Sequence, residues 1–308
     1  MRFPTCFALV MFATAASAAS SPAQEIESVQ EIMAKVAANQ DRAQEMRAAF
    51  VYHQDLLLRM LRGNGKTARE EEREYTVTPT PSGTEKQLTK FSGRYEKGGK
   101  LIDYDEPGYT YKEVDVDGEL INDLAKDLAD DKKSRDGIAR DLFPLTTRQQ
   151  KKYTFSLVGR QNYRGREIYR ITFKPAGNES WDDDCPPWEG EILVDAHDFQ
   201  PVVVTTRLAK GLPVVVTTLL GTNLKGLGFK VTYDKFDEGL WFPVNYGSEF
   251  EVKALFLYKR KIAVSLKNSG FQRAEVAARV TFDEPMQIDK NMKVREVKSP
   301  PPLPPYRR

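Results

Sequence analysis

From about Trp188 to Phe271, runs of alternating apolar and polar residues follow one another with only short turns between them. The block Gly228-Phe229-Lys230-Val231-Thr232-Tyr233-Asp234-Lys235-Phe236-Asp237-Glu238-Gly239-Leu240-Trp241-Phe242-Pro243 is its centre. Successive side chains of a strand point to opposite faces, so strict alternation writes one greasy face and one wet face. The stretch therefore predicts a large curved antiparallel sheet whose apolar side must be covered or must hold something apolar.

The rest of the chain extends that pattern. Phe50 to Leu61 reads as a strand, Gly63-Asn64-Gly65 as a turn, and Lys66 to Thr78 as a charged return strand with Thr67, Arg69, Glu71 and Arg73 on one side. Pro79 to Gly83 is another turn, Glu85 to Arg94 a third strand, and Lys97 to Lys100 the next hairpin. Tyr153, Phe155 and Leu157 alternate, as do Tyr169, Ile171 and Phe173 beyond the turn at Asn162 to Gly165. Val202 to Leu208 and Val214 to Leu220 are β-branched runs. Leu227, Phe229, Val231 and Tyr233 share a face, as do Phe242, Val244, Tyr246, Phe250 and Val252; Leu255 to Leu266 is the last long strand. About ten strands in hairpin succession favour an antiparallel sheet that curls or closes.

Two segments change period. Ser21-Pro22-Ala23-Gln24 carries the marks of a helix start, and Ile26, Val29, Met33 and Val36 form a stripe that predicts a helix to about Met46. Its other faces are polar, so it packs on the sheet as a lid or plug. Between residues 118 and 142, Leu120, Ile121, Leu124 and Leu128, then Ile138 and Leu142, fit helices separated by the charged run Asp130 to Asp136; Pro144 ends them.

The ends suggest export. Arg2, the apolar Phe7 to Ala16 and the small-x-small site Ala16-Ser17-Ala18 read as a signal peptide over residues 1–18. Its apolar core is too short for a bilayer of ~30 Å. Removing Cys6 leaves Cys185 alone, so no internal disulfide is expected. Lys+Arg at 46 against Asp+Glu at 44 offers no bulk charge for nucleic acid. The low mean hydropathy of −0.53 excludes an integral membrane protein of helices. The tail, residues 291–308, is proline-rich; Ser299 to Tyr306 reads as polyproline II, either a partner's ligand or a stiff terminus.

Catalytic and metal motifs fail one by one. Gly65-Lys66-Thr67 resembles the end of a phosphate loop, but Met60 stands where the first glycine belongs, and the segment joins two strands. His53 and His197 are the only histidines. Asp195-Ala196-His197-Asp198 is better read as a turn between strands than as a ligand set. Asp182-Asp183-Asp184 lacks a glycine-spaced cation pattern, and Cys185 lacks a cationic neighbour, which leaves an intermolecular disulfide or an incidental thiol. The chain is expected to have no catalytic residues, no metal and no cofactor.

One resemblance gathers these segments. The order of signal peptide, amphipathic helix, hairpins, helical insert and further hairpins resembles the LolA/LolB-like superfamily of periplasmic lipoprotein carriers and lipid sensors. The matching segments are Trp188-Glu189-Gly190-Glu191-Ile192-Leu193-Val194-Asp195 with Phe199-x-Pro201, and Val231 to Phe236 with Gly239-Leu240-Trp241-Phe242-Pro243. The resemblance implies an α+β fold over residues 19–290: an incomplete, half-open β-barrel of about eleven antiparallel strands, with helices in or over its concave side. It implies a periplasmic, non-catalytic binder of lipid or lipoprotein acyl chains that meets membranes only transiently. The alternative is an envelope regulatory or scaffolding module that senses lipid or binds a protein partner. The expected lining is the alternating set Phe155, Tyr169, Phe173, Phe229, Tyr233, Phe242, Tyr246 and Phe250.

Overall fold

The computed structural model describes residues 27–81, 83–129, 143–177, 188–209, 223–237, 239–254 and 258–274. The signal segment, the Ser21 cap, the charged run 130–136, Ile138 and Leu142, Cys185 with its three aspartates, the strand expected at 214–220 and the proline-rich tail lie outside them. The chain divides into two units, residues 1–273 and 274–308, and the fold described is that of the first.

Strands β1 (Phe50–Leu61), β2 (Thr67–Thr80), β3 (Gly83–Lys97) and β4 (Lys100–Tyr104) form one meander. Strands β5 (Tyr153–Tyr163), β6 (Arg166–Pro175), β7 (Trp188–Asp195), β8 (Pro201–Leu208), β9 (Asn223–Lys225), β10 (Lys230–Asp237), β11 (Leu240–Ala254) and β12 (Tyr258–Arg273) form the other. They join through β1 and β12 into one antiparallel sheet of order 4-3-2-1-12-11-10-8-7-6-5, with β9 paired to β11. The sheet curves but does not close, and its edges are β4 and β5.

This topology explains why a helix lies across the sheet. The chain leaves at β4, one edge, and re-enters at β5, the other. Ten strand spacings of ~4.8 Å make that crossing ~48 Å along a flat sheet. The described residues between the two edges carry α2 (Val116–Ala129) and α3 (Thr147–Gln150). The first helix, α1 (Val29–Arg47), enters the sheet directly ahead of β1.

The helices divide the concave face between them. Ile32, Met33 and Val36 of α1 pack with Ile168, Tyr169, Ile171, Ile192, Val204, Val231 and Trp241. Ile121 and Ala125 of α2 pack with Leu56, Leu58, Met60, Phe250, Val252, Ile262 and Val264. Burying an aliphatic or Met side chain is worth ~1.5–3 kcal/mol, so each helix is held mainly by its apolar stripe. Polar clamps fix α1 further: Gln40 Nε2 donates to Gln200 Oε1 at 2.6 Å, Asn39 Nδ2 to the Phe199 carbonyl at 3.1 Å, and Arg47 to the Trp241 carbonyl at 3.2 Å.

The helix start differs from the sequence expectation. Ser28, not Ser21, caps α1: its φ of −66° and ψ of 152° are extended, its Oγ accepts from Glu31 N, and Glu31 returns a bond to Ser28 N at 2.8 Å. Both serines precede a Gln or Glu three residues on.

Candidate functional site

Between the two helix-covered clusters runs a seam built from Leu227, Phe229 and Tyr246. Leu227 and Tyr246 pack against both clusters, Phe229 against the first, and all three are half-buried. Their backbone is tightly held. Thr206 N donates to the Phe229 carbonyl at 2.7 Å, Phe229 N to Thr206 Oγ1 at 2.9 Å, and Leu208 N to the Leu227 carbonyl at 3.1 Å. Ser248 Oγ donates to the Gly228 carbonyl at 2.7 Å. Gly228 is required at this crossing, because a Cβ there would stand 2.1 Å from the Thr206 carbonyl oxygen. The chain therefore presents Leu227 and Phe229 on a rigid support.

Phe229 sits between two other rings. Its centroid is 5.0 Å from that of Trp188 at 69° and 5.0 Å from that of Tyr246 at 33°. Trp188 is only 2% exposed, yet its indole Nε1–H has no hydrogen-bond partner among the described residues. Leaving a buried donor unpaired costs ~1–3 kcal/mol. Burial pushes the pKa of the Tyr246 hydroxyl up, so it keeps its proton.

The expected lining separates into four groups. Tyr169, Phe173 and Tyr233 are buried beneath α1, with Phe155 packed against them; these fill a core. Phe250 belongs to the cluster beneath α2. Phe242 lies apart with Phe50, Leu240 and Phe271, stacked on Phe271 at 4.1 Å. The cause is a bulge: Thr232 pairs with Asn245 but Tyr233 with Pro243, so Val244 is an extra residue and the alternation of β11 shifts there. Only Phe229 and Tyr246 reach the seam. Leu227 completes it and Trp188 packs beside Phe229; their sequence signals were a shared strand face and a strand start, neither of which marks a site.

Two surface clefts lined by described residues lie away from the seam. One of about 530 Å³ is lined by Thr154, Ser156, Thr172, Glu191, Thr205 and Arg207, which alternate with the apolar residues of their strands. Another, of about 490 Å³, lies by Glu27, Arg160, Arg166, Asp195 and His197. In it, Asp195 Oδ1 accepts from His197 N and Asp198 N, both at 2.9 Å, which is the expected turn. Gly65, at φ 79°, likewise sits in the turn between β1 and β2. Among the described residues no group of three or more His, Cys, Asp or Glu is placed to hold a metal.

One polar cluster was not legible as such. Arg69, Glu71 and Arg73, read as a charged face of β2, are buried at the α2 end of the sheet. Arg69 bonds Asp115 at 2.7 Å, and Asp115 Oδ1 accepts from Gly118 N at 3.1 Å at the start of α2. The Tyr104 hydroxyl accepts from Arg69 Nε at 2.8 Å and donates to Glu71 Oε1 at 2.6 Å. Burial first, then the Glu71 carboxylate, pushes the Tyr104 pKa up and keeps that proton in place. Arg73 Nε completes the set on Glu71 at 2.9 Å. Every charge has a partner, so the cluster pins α2 rather than offering a site. A second tie, Arg260 Nε to Asp117 at 2.9 Å, holds the same end.

No family model matches the chain, and no curated protein matches it. Among solved structures it is similar to a DUF1329 family protein from Desulfovibrio piger, at 10% identity and TM-score 0.31, covering 80% of this chain and 94% of that one. It is also similar to a LolA superfamily protein from Nitrosomonas europaea, at 11% identity and TM-score 0.32, covering 78% and 93%. A third is the Mycobacterium tuberculosis lipoprotein LppX, at 7% identity and TM-score 0.25, covering 80% and 98%. At these scores the functional reading rests on the chain's own side chains.

Proposed function

We propose that this chain is a non-catalytic periplasmic carrier or binder of lipid or lipoprotein acyl chains, exported by residues 1–18, with residues 19–290 as the binding domain. The acyl chain lies along Leu227, Phe229 and Tyr246, between α1 and α2. The observation that carries the reading is this half-buried seam, apolar and rigidly backed, at the junction of two separately covered clusters. Each methylene moved from water into such a seam gains ~0.8 kcal/mol, so a chain of ten gains ~8 kcal/mol without any charged contact. The core residues under α1 do not need to move for this; the two helices need only part.

The test is direct. Protein purified without detergent is examined by native mass spectrometry and titrated with a fluorescent fatty acid. Co-purified lipid or micromolar binding is expected, with Phe229→Asp weakening the binding at least roughly ten-fold, because a carboxylate would be buried against the tail. Absence of both co-purified lipid and binding in the wild type refutes the reading.

A further inference from the structure

An apolar seat explains a bound acyl tail, but it does not explain Trp188. The indole nitrogen only donates, and a buried donor is nearly always paired in a folded protein. Tyr153 Oη accepts from the backbone nitrogen of Trp188 at 3.4 Å, and the side-chain nitrogen has no such partner among the described residues. The ring beside it, Phe229, offers only its π face, a weak acceptor. The other two half-buried seam residues are Leu227 and Tyr246, and neither brings a charge.

Resting on the lipid reading above, we propose that the Trp188 indole N–H is a specificity element that takes the neutral carbonyl oxygen of an ester- or amide-linked acyl chain, so that the seam selects acylated molecules over bare hydrocarbon. A carbonyl suits the site for two reasons. It accepts a hydrogen bond without bringing in a charge, and the described seam residues Leu227, Phe229 and Tyr246 carry no cation to pair with a phosphate or a carboxylate. It is also the polar group that sits directly at the head of every such chain. Trp188 is therefore a positioning residue for the ligand's head, while Leu227, Phe229 and Tyr246 hold its tail.

The experiment compares two fluorescent probes on the full chain: the methyl ester of cis-parinaric acid, which carries a carbonyl, and diphenylhexatriene, which carries no oxygen. Trp188→Phe is expected to weaken the ester roughly three- to ten-fold, the range of one net neutral hydrogen bond, and to leave diphenylhexatriene unchanged. Equal effects on both probes, or no effect on either, overturn the proposal while leaving the carrier reading intact. Failure of the wild type to bind either probe removes both. A second measurement needs no variant: the Trp188 indole proton, identified in NMR spectra by its contact with the Phe229 ring, is expected to move downfield with methyl palmitate. If it stays put while the ester binds, the carbonyl is not there.

Discussion

Gly93 and Tyr104 show how closely single residues are matched. A Cβ on Gly93 would lie 2.2 Å from the Tyr104 ring, and that ring carries the hydroxyl linking Arg69 to Glu71. Gly93→Ala should therefore cost about 1–3 kcal/mol in urea unfolding, by driving the tyrosine out of its bonds. The same change made in a Tyr104→Ala background should cost far less, since the two residues are coupled. Asp198 gives a pH prediction. Burial opposes its ionisation, but Lys235 at 2.8 Å and Trp241 Nε1 at 3.2 Å outweigh it and hold the carboxyl below the ordinary value of 3.8. A carboxyl depressed in the folded state adds stability above its unfolded pKa and loses it as pH falls through the folded one. Asp198→Asn should accordingly flatten the fall in stability below about pH 4, read as melting temperature against pH.

At the scale of elements, α1 and α2 are held by different forces. The capping box of Ser28 and Glu31 begins α1, and Ser28→Ala should lower stability by about 1 kcal/mol in denaturant melts. The α2 start depends on Asp115 and Arg69, both about fully buried. Arg69→Met should cost about 3–5 kcal/mol, because it leaves Asp115 as an uncompensated buried charge while Glu71 keeps Arg73. Most of the described strands, α1 and α2 were legible in the sequence, since alternation and a 3-4 stripe are local signals; β9 and α3 were not read from it. β1 carries the expected bounds, Phe50–Leu61. Three things were not local. Arg69, Glu71 and Arg73 read as a wet face because their partners, Asp115 and Tyr104, lie far along the chain. The bulge at Val244 is set by pairing with β10, so Phe242 seemed continuous with Tyr246. The cap of α1 was read at Ser21, whereas Ser28 with Glu31 forms the capping box. The seam itself was half visible: Phe229 and Tyr246 were in the expected set, while Trp188 looked like ordinary strand.

The whole molecule is organised by one pairing, that of β1 with β12 from Phe50 opposite Arg273 to Leu61 opposite Lys261. It places the first strand and the last at the middle of the sheet, not at its edge. During synthesis, β1 must therefore wait for β12. Roughly 200 residues intervene, and ribosomes add ~5–20 residues per second, so the first meander spends ~10–40 s without its central partner. Such a chain resists premature folding while it is being made, which favours passage through any channel that admits only unfolded polypeptide.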